Sequence, residues 1–493
     1  MDFEVLKPKA AVSLENDAPQ ESVLLFDFEI VEVDEPRFQA SPKATTLLND
    51  RMAIAIALFL LLVPIPYGSN RPLAWLAAAG AVGLMAFVYF FMSSFSASRR
   101  RMQLRNYWKV LVPGLLAIGF ALFQMLPITF GSVGDLPAVL LPDRLTLSSS
   151  AGAWGILRML SYALLFILVS EVCTNRHRTS LMLKWVFYGI VIHAIWALVS
   201  LGALSDTLLF QVKYDYAGYA TGTFINRNSF ATFMGMGMVI GASLVASDMC
   251  ATAHRSTRSR SKHKGLTTEN MFFLVMVFVV FGALVLSASR LGIFSSLLGT
   301  WFSVSAILLR KGVRKSKVIG GTFIIGILGI VAMLGLAGES VLERFVFILV
   351  NTDDRLELYR QTMDMIASRP FFGFGLDTYS MAFEIFHQPE LPTSIVWDKP
   401  HNTYLTLWSE LGILAGSLPP LAVFAAFIFM IAALRNSARN HLPSAAAGGV
   451  IILGAVHSLG DFSLEIAANT YVFVAIVALG MARRRHEIQE YGE

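Results

Sequence analysis

Apolar residues in this chain fall in long blocks that are separated by shorter polar segments. A helix of about 20 apolar residues can cross the roughly 30 Å hydrocarbon core of a bilayer. The pattern therefore predicts an all-α integral membrane protein with about twelve transmembrane helices, near residues 52–67, 72–94, 108–127, 153–172, 184–204, 228–247, 271–288, 291–309, 317–337, 413–434, 444–460 and 468–482.

The composition excludes a soluble protein. Hydrophobic residues make up 55% of the chain, and charged residues make up only 15%. A soluble protein of this length needs a larger charged fraction to cover its surface. The apolar blocks are therefore interpreted as membrane spans and not as buried core helices.

Basic residues are concentrated in every second loop between the predicted spans. The clusters are Arg99, Arg100, Arg101 and Arg105; Arg176, Arg178 and Lys184; Arg255, Arg258, Arg260, Lys262 and Lys264; Arg310, Lys311, Arg314, Lys315 and Lys317; Arg435 and Arg439; and Arg483, Arg484 and Arg485. Loops rich in Lys and Arg stay in the cytoplasm, so both termini are predicted to be cytoplasmic. The alternation favours this topological role over binding of nucleic acid or of specific lipids.

This topology divides the chain into five parts. They are an acidic cytoplasmic tail at 1–50, predicted to be disordered, transmembrane helices 1–9 at 51–337, a long non-cytoplasmic loop at 338–412, transmembrane helices 10–12 at 413–485 and a cytoplasmic tail at 486–493. The first tail lacks the basic start and apolar core of a secretory signal.

The long loop is predicted to contain a helix that starts at Asp353 or Asp354, either of which can serve as its N-cap. Apolar residues recur there at helical spacing, at Leu356, Tyr359, Met363 and Ile366. Pro370 marks the predicted end of the helix. Structureless loops of this length are uncommon in compact proteins and are often functional.

His401 is the first candidate for acid–base chemistry. Asp398 is expected to cap a helix that has Pro400 in its first turn. The residues expected to share the helical face of His401 are Tyr404, Leu405 and Trp408. The dipole at a helix start disfavours imidazolium, which predicts a neutral ring able to accept a proton. A structural histidine with a capping bond is the alternative, and the sequence leaves both open.

Three arginines lie in non-cytoplasmic segments beside Asn and Ser residues: Arg227, Arg290 and Arg355. The guanidinium group matches the oxygens of phosphate and pyrophosphate. Each arginine could instead extend its charge towards lipid head groups. As a set they favour a phosphate-containing substrate.

Several common sites are missing from the sequence. It has no P-loop, no glycine-rich dinucleotide motif, no histidine or cysteine cluster with metal spacing and no D-x-D triplet. No metal and no cofactor are therefore expected. His193 is predicted to be a helix-packing residue, whereas His457 and Asp461 are candidates for lining the cavity of His401.

The residues that carry a family resemblance are ordered along the chain: Gly222-Thr223-Phe224 with Asn226 and Asn228, Ser289-Arg290, Arg355, Pro370 with Gly373 and Gly375, and His401-Asn402 followed by Leu405, Glu410 and Gly412. Across about residues 150–480 this set resembles the O-antigen ligase and Wzy-type polysaccharide polymerase superfamily of bacterial envelopes. The stretch 355–416 is the most specific part.

The resemblance implies a metal-independent glycosyltransferase of the bacterial inner membrane, with a GT-C-like fold and a periplasmic catalytic loop. Members take a glycan from undecaprenyl pyrophosphate. Ligases pass it to lipid A–core in lipopolysaccharide synthesis, and polymerases pass it to another lipid-linked repeat, as in O-antigen or exopolysaccharide synthesis. The implied partners are thus the lipid-linked oligosaccharide, a glycan or lipid A–core acceptor and membrane lipids.

Site residues follow from the same resemblance by position. His401 matches the proposed general base, and Arg290 and Arg355 match the arginines thought to bind the pyrophosphate. Arg227 stands where many members have proline, so it is either an added phosphate ligand or a residue that faces lipid. The supporting residues expected at the site are Asn226, Asn228, Ser289, Asn402 and Tyr404.

Two alternatives remain at this point. Ligase and polymerase share these motifs, and only the long loop and the acidic tail favour a polymerase slightly. A lipid or polysaccharide transporter, or flippase, is the alternative from another class. Transporters place charged residues near mid-membrane and often show related halves, whereas these spans carry few charges and show no evident repeat.

Overall fold

A computed structural model describes residues 42–95, 103–128, 144–209, 211–258, 267–314, 340–435 and 441–482, with the short pieces 7–8, 28–29, 316, 318 and 320–321. The described chain is mostly helical. Two short antiparallel strand pairs join β1 (Lys7–Pro8) to β2 (Phe28–Glu29) and β3 (Thr207–Leu208) to β4 (Gln211–Val212).

The α-helices follow one another in the order α1 (Pro42–Leu62), α2 (Pro72–Ser94), α3 (Trp108–Gln124), α4 (Ser149–Val172), α5 (Arg176–Ala203), α6 (Arg227–Arg258), α7 (Thr268–Leu286), α8 (Arg290–Arg310), α9 (Ser340–Ser368), α10 (Tyr379–Phe386), α11 (Thr403–Gly416), α12 (Leu418–Arg435), α13 (His441–His457) and α14 (Ala467–Met481). Local signals set several starts. The Asn175 side chain accepts a hydrogen bond from the His177 N–H, and Thr267 accepts one from Asn270, which satisfies N–H groups that have no helical partner.

Among the described residues, eight helices are long and apolar enough to cross a membrane, namely α2 to α8 and α12. They match the second to eighth and the tenth predicted spans. Helices α13 and α14 are apolar but shorter, and they coincide with the last two predicted spans. Helix α1 overlaps the first predicted span, and the ninth, 317–337, lies largely outside the described residues. The all-α membrane class is confirmed, and the count of twelve spans stays a prediction.

Helix α6 forms the centre of the bundle and is buried along most of its length. It packs against α5, α7, α8 and α13. Small residues allow the neighbouring helices α8 and α13 to touch by their backbones. A Cβ atom added at Gly299 would lie 2.3 Å from the carbonyl oxygen of Gly449, and one at Gly449 would lie 2.4 Å from that of Gly299. Such close packing is typical of membrane helices, which gain little from hydrophobic burial against lipid.

The helix predicted in the long loop exists, but its predicted start was wrong. Helix α9 begins at Ser340, so Asp354 lies inside the helix and does not cap it. The segment 341–352 contains no glycine or proline that would stop a helix, which is why the helical conformation extends upstream. The predicted end is confirmed, because α9 ends at Ser368, before Pro370.

Candidate active site

The segment that carries His401 is fixed by a helix cap, although not by the predicted one. The Asn402 side-chain oxygen accepts hydrogen bonds from the backbone N–H groups of Tyr404 (3.0 Å) and Leu405 (3.2 Å), so α11 begins at Thr403. His401 therefore precedes the helix and has a positive φ of 52°. The predictions that Asp398 caps this helix and that His401 lies on its face were wrong. Asn402 stands directly before the helical run, where its short amide reaches the first free N–H groups.

His401 faces an aspartate from another part of the chain. Its Nδ1 atom lies 3.8 Å from Oδ1 of Asp461, which is an ion-pair distance and longer than a hydrogen bond. Asp461 is only 1% exposed. Its Oδ1 accepts a hydrogen bond from the side-chain amide of Asn228 at 2.9 Å, and its Oδ2 accepts one from the Ser463 hydroxyl. Asp461 is thus held in one orientation beside the imidazole.

The charged form of Asp461 is favoured in spite of its burial. Burial alone would raise the pKa of this carboxyl, but His401, His457 and Ser463 outweigh that effect, and the pKa lies below its ordinary value. Asp461 is therefore an anion that can orient the His401 ring and stabilise a positive charge on it.

One backbone and one side-chain hydrogen bond attach the His401 segment to the α13–α14 turn, residues 458–466. The Thr403 N–H donates to the Ser458 carbonyl at 3.1 Å, and the Asn402 amide donates to the Leu459 carbonyl at 2.9 Å. The Phe462 ring packs edge-on against the His401 ring, with the centroids 5.0 Å apart. This turn, which also carries Asp461, is therefore the platform on which His401 rests.

Two further helices contact the same segment. The Tyr404 hydroxyl donates to the Ala455 carbonyl of α13 at 2.9 Å. On α9, the Tyr359 hydroxyl donates to the His401 carbonyl at 3.2 Å. Tyr359 thus links the long loop to the histidine, and its role was not foreseen in the sequence beyond its place in the apolar stripe.

The start of α6 supplies the polar residues on the other side of Asp461. The Asn226 side-chain oxygen accepts a hydrogen bond from the backbone N–H of Asn228 at 2.7 Å. The side-chain amide of Asn228 donates to Asp461. One turn further along, the Thr232 hydroxyl pairs with Nδ1 of the buried His457. Asn226 and Asn228, both predicted as supporting residues, are thus brought to the candidate site.

The three predicted arginines lie around this region in different environments. The guanidinium carbon of Arg227 lies 4.6 Å from the ring centroid of Tyr219 and 5.6 Å from that of Tyr216. Arg355 is exposed on α9, one helical turn before Tyr359. Burial raises the pKa of Tyr359, and the nearby Arg355 opposes the rise. Burial also raises the pKa of Tyr216, where the opposing charge is chiefly that of Arg227.

Arg290 begins α8 and is exposed, with Ser289 at the N-cap position. The next residue, Leu291, packs so closely on Gly460 that a Cβ atom added to the glycine would lie 2.7 Å from the leucine Cδ2. The start of α8 is therefore adjacent to the turn that carries Asp461. Within the described chain, no hydrogen bond or ion pair joins these arginines to His401.

Residues 274–419 match the family model described as O-Antigen ligase. The predicted resemblance to the O-antigen ligase superfamily is confirmed. No curated protein matches the chain. The match supports a membrane protein that processes glycans in the manner of O-antigen ligases and polymerases.

The segment matched by the O-Antigen ligase model, residues 274–419, contains only part of the candidate site. It includes Arg290, Arg355 and His401. Asn228 lies before this segment in the chain, and Asp461 lies after it. In the described part of the chain, no group of three or more His, Cys, Asp or Glu residues is arranged to hold a metal ion.

Within the matched segment, Glu410 links α11 to the turn before α10. Its buried carboxylate accepts hydrogen bonds from the backbone N–H groups of Asp377 at 2.9 Å and Tyr379 at 3.3 Å. Burial raises the pKa of the Glu410 carboxyl to about 8, although the nearby Lys399 opposes the rise. A carboxyl whose pKa is raised by folding contributes stability that is fully present below its ordinary pKa of 4.5 and is lost as the pH rises towards 8.

We expect the melting temperature of the wild type to fall between pH 5 and pH 8. The fall should be smaller in Glu410→Gln, by about 2 °C or more, because the neutral amide has no proton to release. Thermal unfolding in detergent, followed by tryptophan fluorescence, measures the difference. Glu357→Gln is the matched control. Its Arg360 partner lowers the pKa of that carboxyl to about 2, so its titration lies below this pH window. Equal slopes for wild type and Glu410→Gln would contradict the prediction.

Proposed function

We propose that the chain is a glycosyltransferase that moves a glycan from undecaprenyl pyrophosphate to an acceptor hydroxyl at the periplasmic face of the bacterial inner membrane. The observation that carries the proposal is the pairing of His401, from the segment that matches the O-Antigen ligase model, with the buried Asp461. A histidine oriented by a fixed carboxylate is suited to accept a proton from a hydroxyl group.

The reaction needs one bond to form and one to break. The acceptor oxygen attacks the anomeric carbon of the glycan, and the bond from that carbon to the pyrophosphate oxygen breaks. The hydroxyl proton passes to His401. Because Nδ1 is turned towards Asp461, Nε2 is the nitrogen that accepts it. Direct attack without a covalent intermediate predicts inversion at the anomeric carbon.

The leaving pyrophosphate gains negative charge as the bond breaks. Arg290 and Arg355 lie around the His401 region and keep their charge at a lipid boundary, so they are proposed to stabilise that charge in place of a metal ion. Arg227 is proposed as a third contributor. The two tyrosine rings against its guanidinium restrict its motion, which supports a fixed position near the donor.

The test uses purified protein with a defined undecaprenyl-pyrophosphate oligosaccharide, chelator throughout and both acceptors offered. We expect transfer to proceed in the presence of chelator. Longer lipid-linked glycan would identify a polymerase, and transfer to lipid A–core would identify a ligase. Movement of the lipid across the membrane without glycan transfer would contradict the proposal and favour a transporter. A product that keeps the donor configuration would contradict direct attack.

We expect Arg355→Ala to lower kcat about 10²-fold, a typical loss when one fixed charge-stabilising group is removed. Arg360→Ala is the matched control on the same helix. Arg360 is exposed, and its charge is compensated by Glu357 at 2.6 Å and Asp364 at 3.1 Å. It should retain activity within about 2-fold, because exposed ion pairs contribute little. Equal losses in both variants would exclude a specific role for Arg355.

A further inference from the structure

A second ion pair connects the same two segments as the His401–Asp461 pair. The Lys399 ammonium is 2.7 Å from Oε2 of Glu465, and the two side chains are 26% and 16% exposed. Lys399 comes two residues before His401, and Glu465 lies in the same α13–α14 turn as Asp461. The pair therefore joins the two segments that supply the candidate base and its carboxylate.

Glu465 holds the His401 segment on both sides. Its second oxygen, Oε1, accepts a hydrogen bond from the Thr406 hydroxyl at 2.9 Å. One carboxylate thus contacts Lys399 before the histidine and Thr406 after it. Both oxygens of Glu465 are used in this way, and neither contact involves His401 itself.

His401 needs such support because its own backbone offers little. It lies outside α11 and has a positive φ of 52°, a backbone conformation that residues other than glycine adopt rarely. Nδ1 of His401 has no hydrogen-bond partner within the described residues. Apart from the packing of the Phe462 ring, its orientation towards Asp461 therefore depends on the contacts of neighbouring residues.

The surrounding charges keep Lys399 in its protonated form. Although burial opposes the charge, the neighbouring carboxylates, with Glu465 first among them, outweigh it and raise the pKa of Lys399. One of them, Asp377, is also paired with Arg158, whose Nη2 lies 2.6 Å from Oδ2 of the aspartate. Lys399 is thus a permanent cation whose direct partner is Glu465, and the partially buried pair is screened less than a surface pair.

We propose that Lys399 and Glu465 are positioning residues whose ion pair holds the His401 ring against the Asp461 carboxylate. The inference rests on the proposed function, because the Lys399–Glu465 ion pair matters for catalysis only if His401 acts as the base. Neither residue touches the reacting atoms. Both act through the placement of the histidine.

The first test separates positioning from binding. In Lys399→Met and in Glu465→Gln we expect kcat to fall about 10²-fold, since displacement of a reacting group by about 1 Å can cost that much. The KM for donor and acceptor should change by no more than about 3-fold, because neither residue contacts substrate. Lys399→Arg should keep most of the activity, since it preserves the charge. The double variant should be no worse than either single one, because both changes break the same contact.

Lys184→Met is the matched control. It breaks a second lysine–glutamate pair, with Glu269 at 2.8 Å, which joins α5 to α7 away from His401. It should keep kcat within about 2-fold, because exposed pairs contribute little. A kcat within about 3-fold of wild type in both Lys399→Met and Glu465→Gln would overturn the positioning role, given the far larger loss that misplacement causes.

The second test does not depend on glycan transfer. Diethyl pyrocarbonate modifies accessible neutral imidazoles, and peptide mass spectrometry reads His401 separately from the exposed His177, which serves as the internal reference. We expect Lys399→Met and Asp461→Asn to change the rate at which His401 is modified several-fold and in the same direction. Lys184→Met should leave that rate unchanged. An unchanged His401 rate in Lys399→Met would overturn the inference alone. Absence of transfer by the wild type would contradict the proposed function alone.

Discussion

His401→Ala should reduce kcat for glycan transfer about 10³–10⁴-fold, the upper part of the range for loss of a general base. The variant removes the group proposed to accept the acceptor proton, while the cap at Asn402 and the packing of α11 remain. The KM for the lipid-linked donor should change little, because the proposed pyrophosphate contacts come from the arginines. Single-turnover transfer with radiolabelled donor measures the loss of the chemical step directly.

Two companion variants sharpen this test. Asp461→Asn should lower kcat less than the loss of His401 itself, since the imidazole remains but loses the anion that orients it. His177→Ala, which changes an exposed histidine on α5, should behave as wild type. Retention of activity within about 10-fold in His401→Ala would rule out the assignment of His401 as the base.

Gly412→Ala should destabilise the protein by about 3 kcal/mol, the upper end of the cost of forcing a residue with a Cβ into a conformation reserved for glycine. Gly412 has φ 74° and ψ 165° and forms a kink within α11. A Cβ atom there would lie 2.3 Å from the carbonyl oxygen of Phe371, so the strain adds to a clash with backbone. Neither atom can move freely, because the two segments are hydrogen-bonded to each other.

Those hydrogen bonds explain why the effect should be large. The Ile413 N–H donates to the Pro370 carbonyl at 2.7 Å, and the Gly375 N–H donates to the Glu410 carbonyl at 2.8 Å. The Gln124 side chain of α3 closes the same contact by donating to the Glu410 carbonyl at 2.8 Å. A shift of the kink to relieve the clash would break several of these bonds at once.

Gly282→Ala is the control for this prediction. Gly282 lies within α7, and a Cβ atom there would meet nothing within 4 Å. It should be neutral or stabilise by up to about 1 kcal/mol, because alanine favours helices. Unfolding curves in detergent and the yield of monodisperse protein measure both variants. A difference of less than about 1 kcal/mol between them would contradict the role assigned to the kink.

The membrane helices were predictable because the signal for them is local. A run of apolar residues of sufficient length specifies a helix across a bilayer wherever the rest of the chain lies. The predicted span 72–94 is α2 (Pro72–Ser94), and the predicted span 291–309 differs from α8 (Arg290–Arg310) by one residue at each end. Helix ends in polar segments were harder, as the start of α9 shows.

The candidate site was predictable in its parts but not in its arrangement. The motif residues His401 and Asn228 were identified, and Asp461 was expected near His401, which the structure confirms. The direct pairing of His401 with Asp461 depends, however, on how α11, α13 and the start of α6 pack together. That packing leaves no local signal in the sequence. The prediction that Asp398 caps α11 failed for another reason. Asp398 and Asn402 are both good capping residues, and only the backbone path decides between them.

The α13–α14 turn has a consequence for the order in which the protein matures. His401 is synthesised and inserted before the turn that carries Asp461 and Glu465 exists. The histidine then lacks its carboxylate, and its segment lacks the platform to which Asn402 and Thr403 are bonded. Transfer competence should therefore arise only after the α13–α14 turn has been synthesised and has packed against the His401 segment.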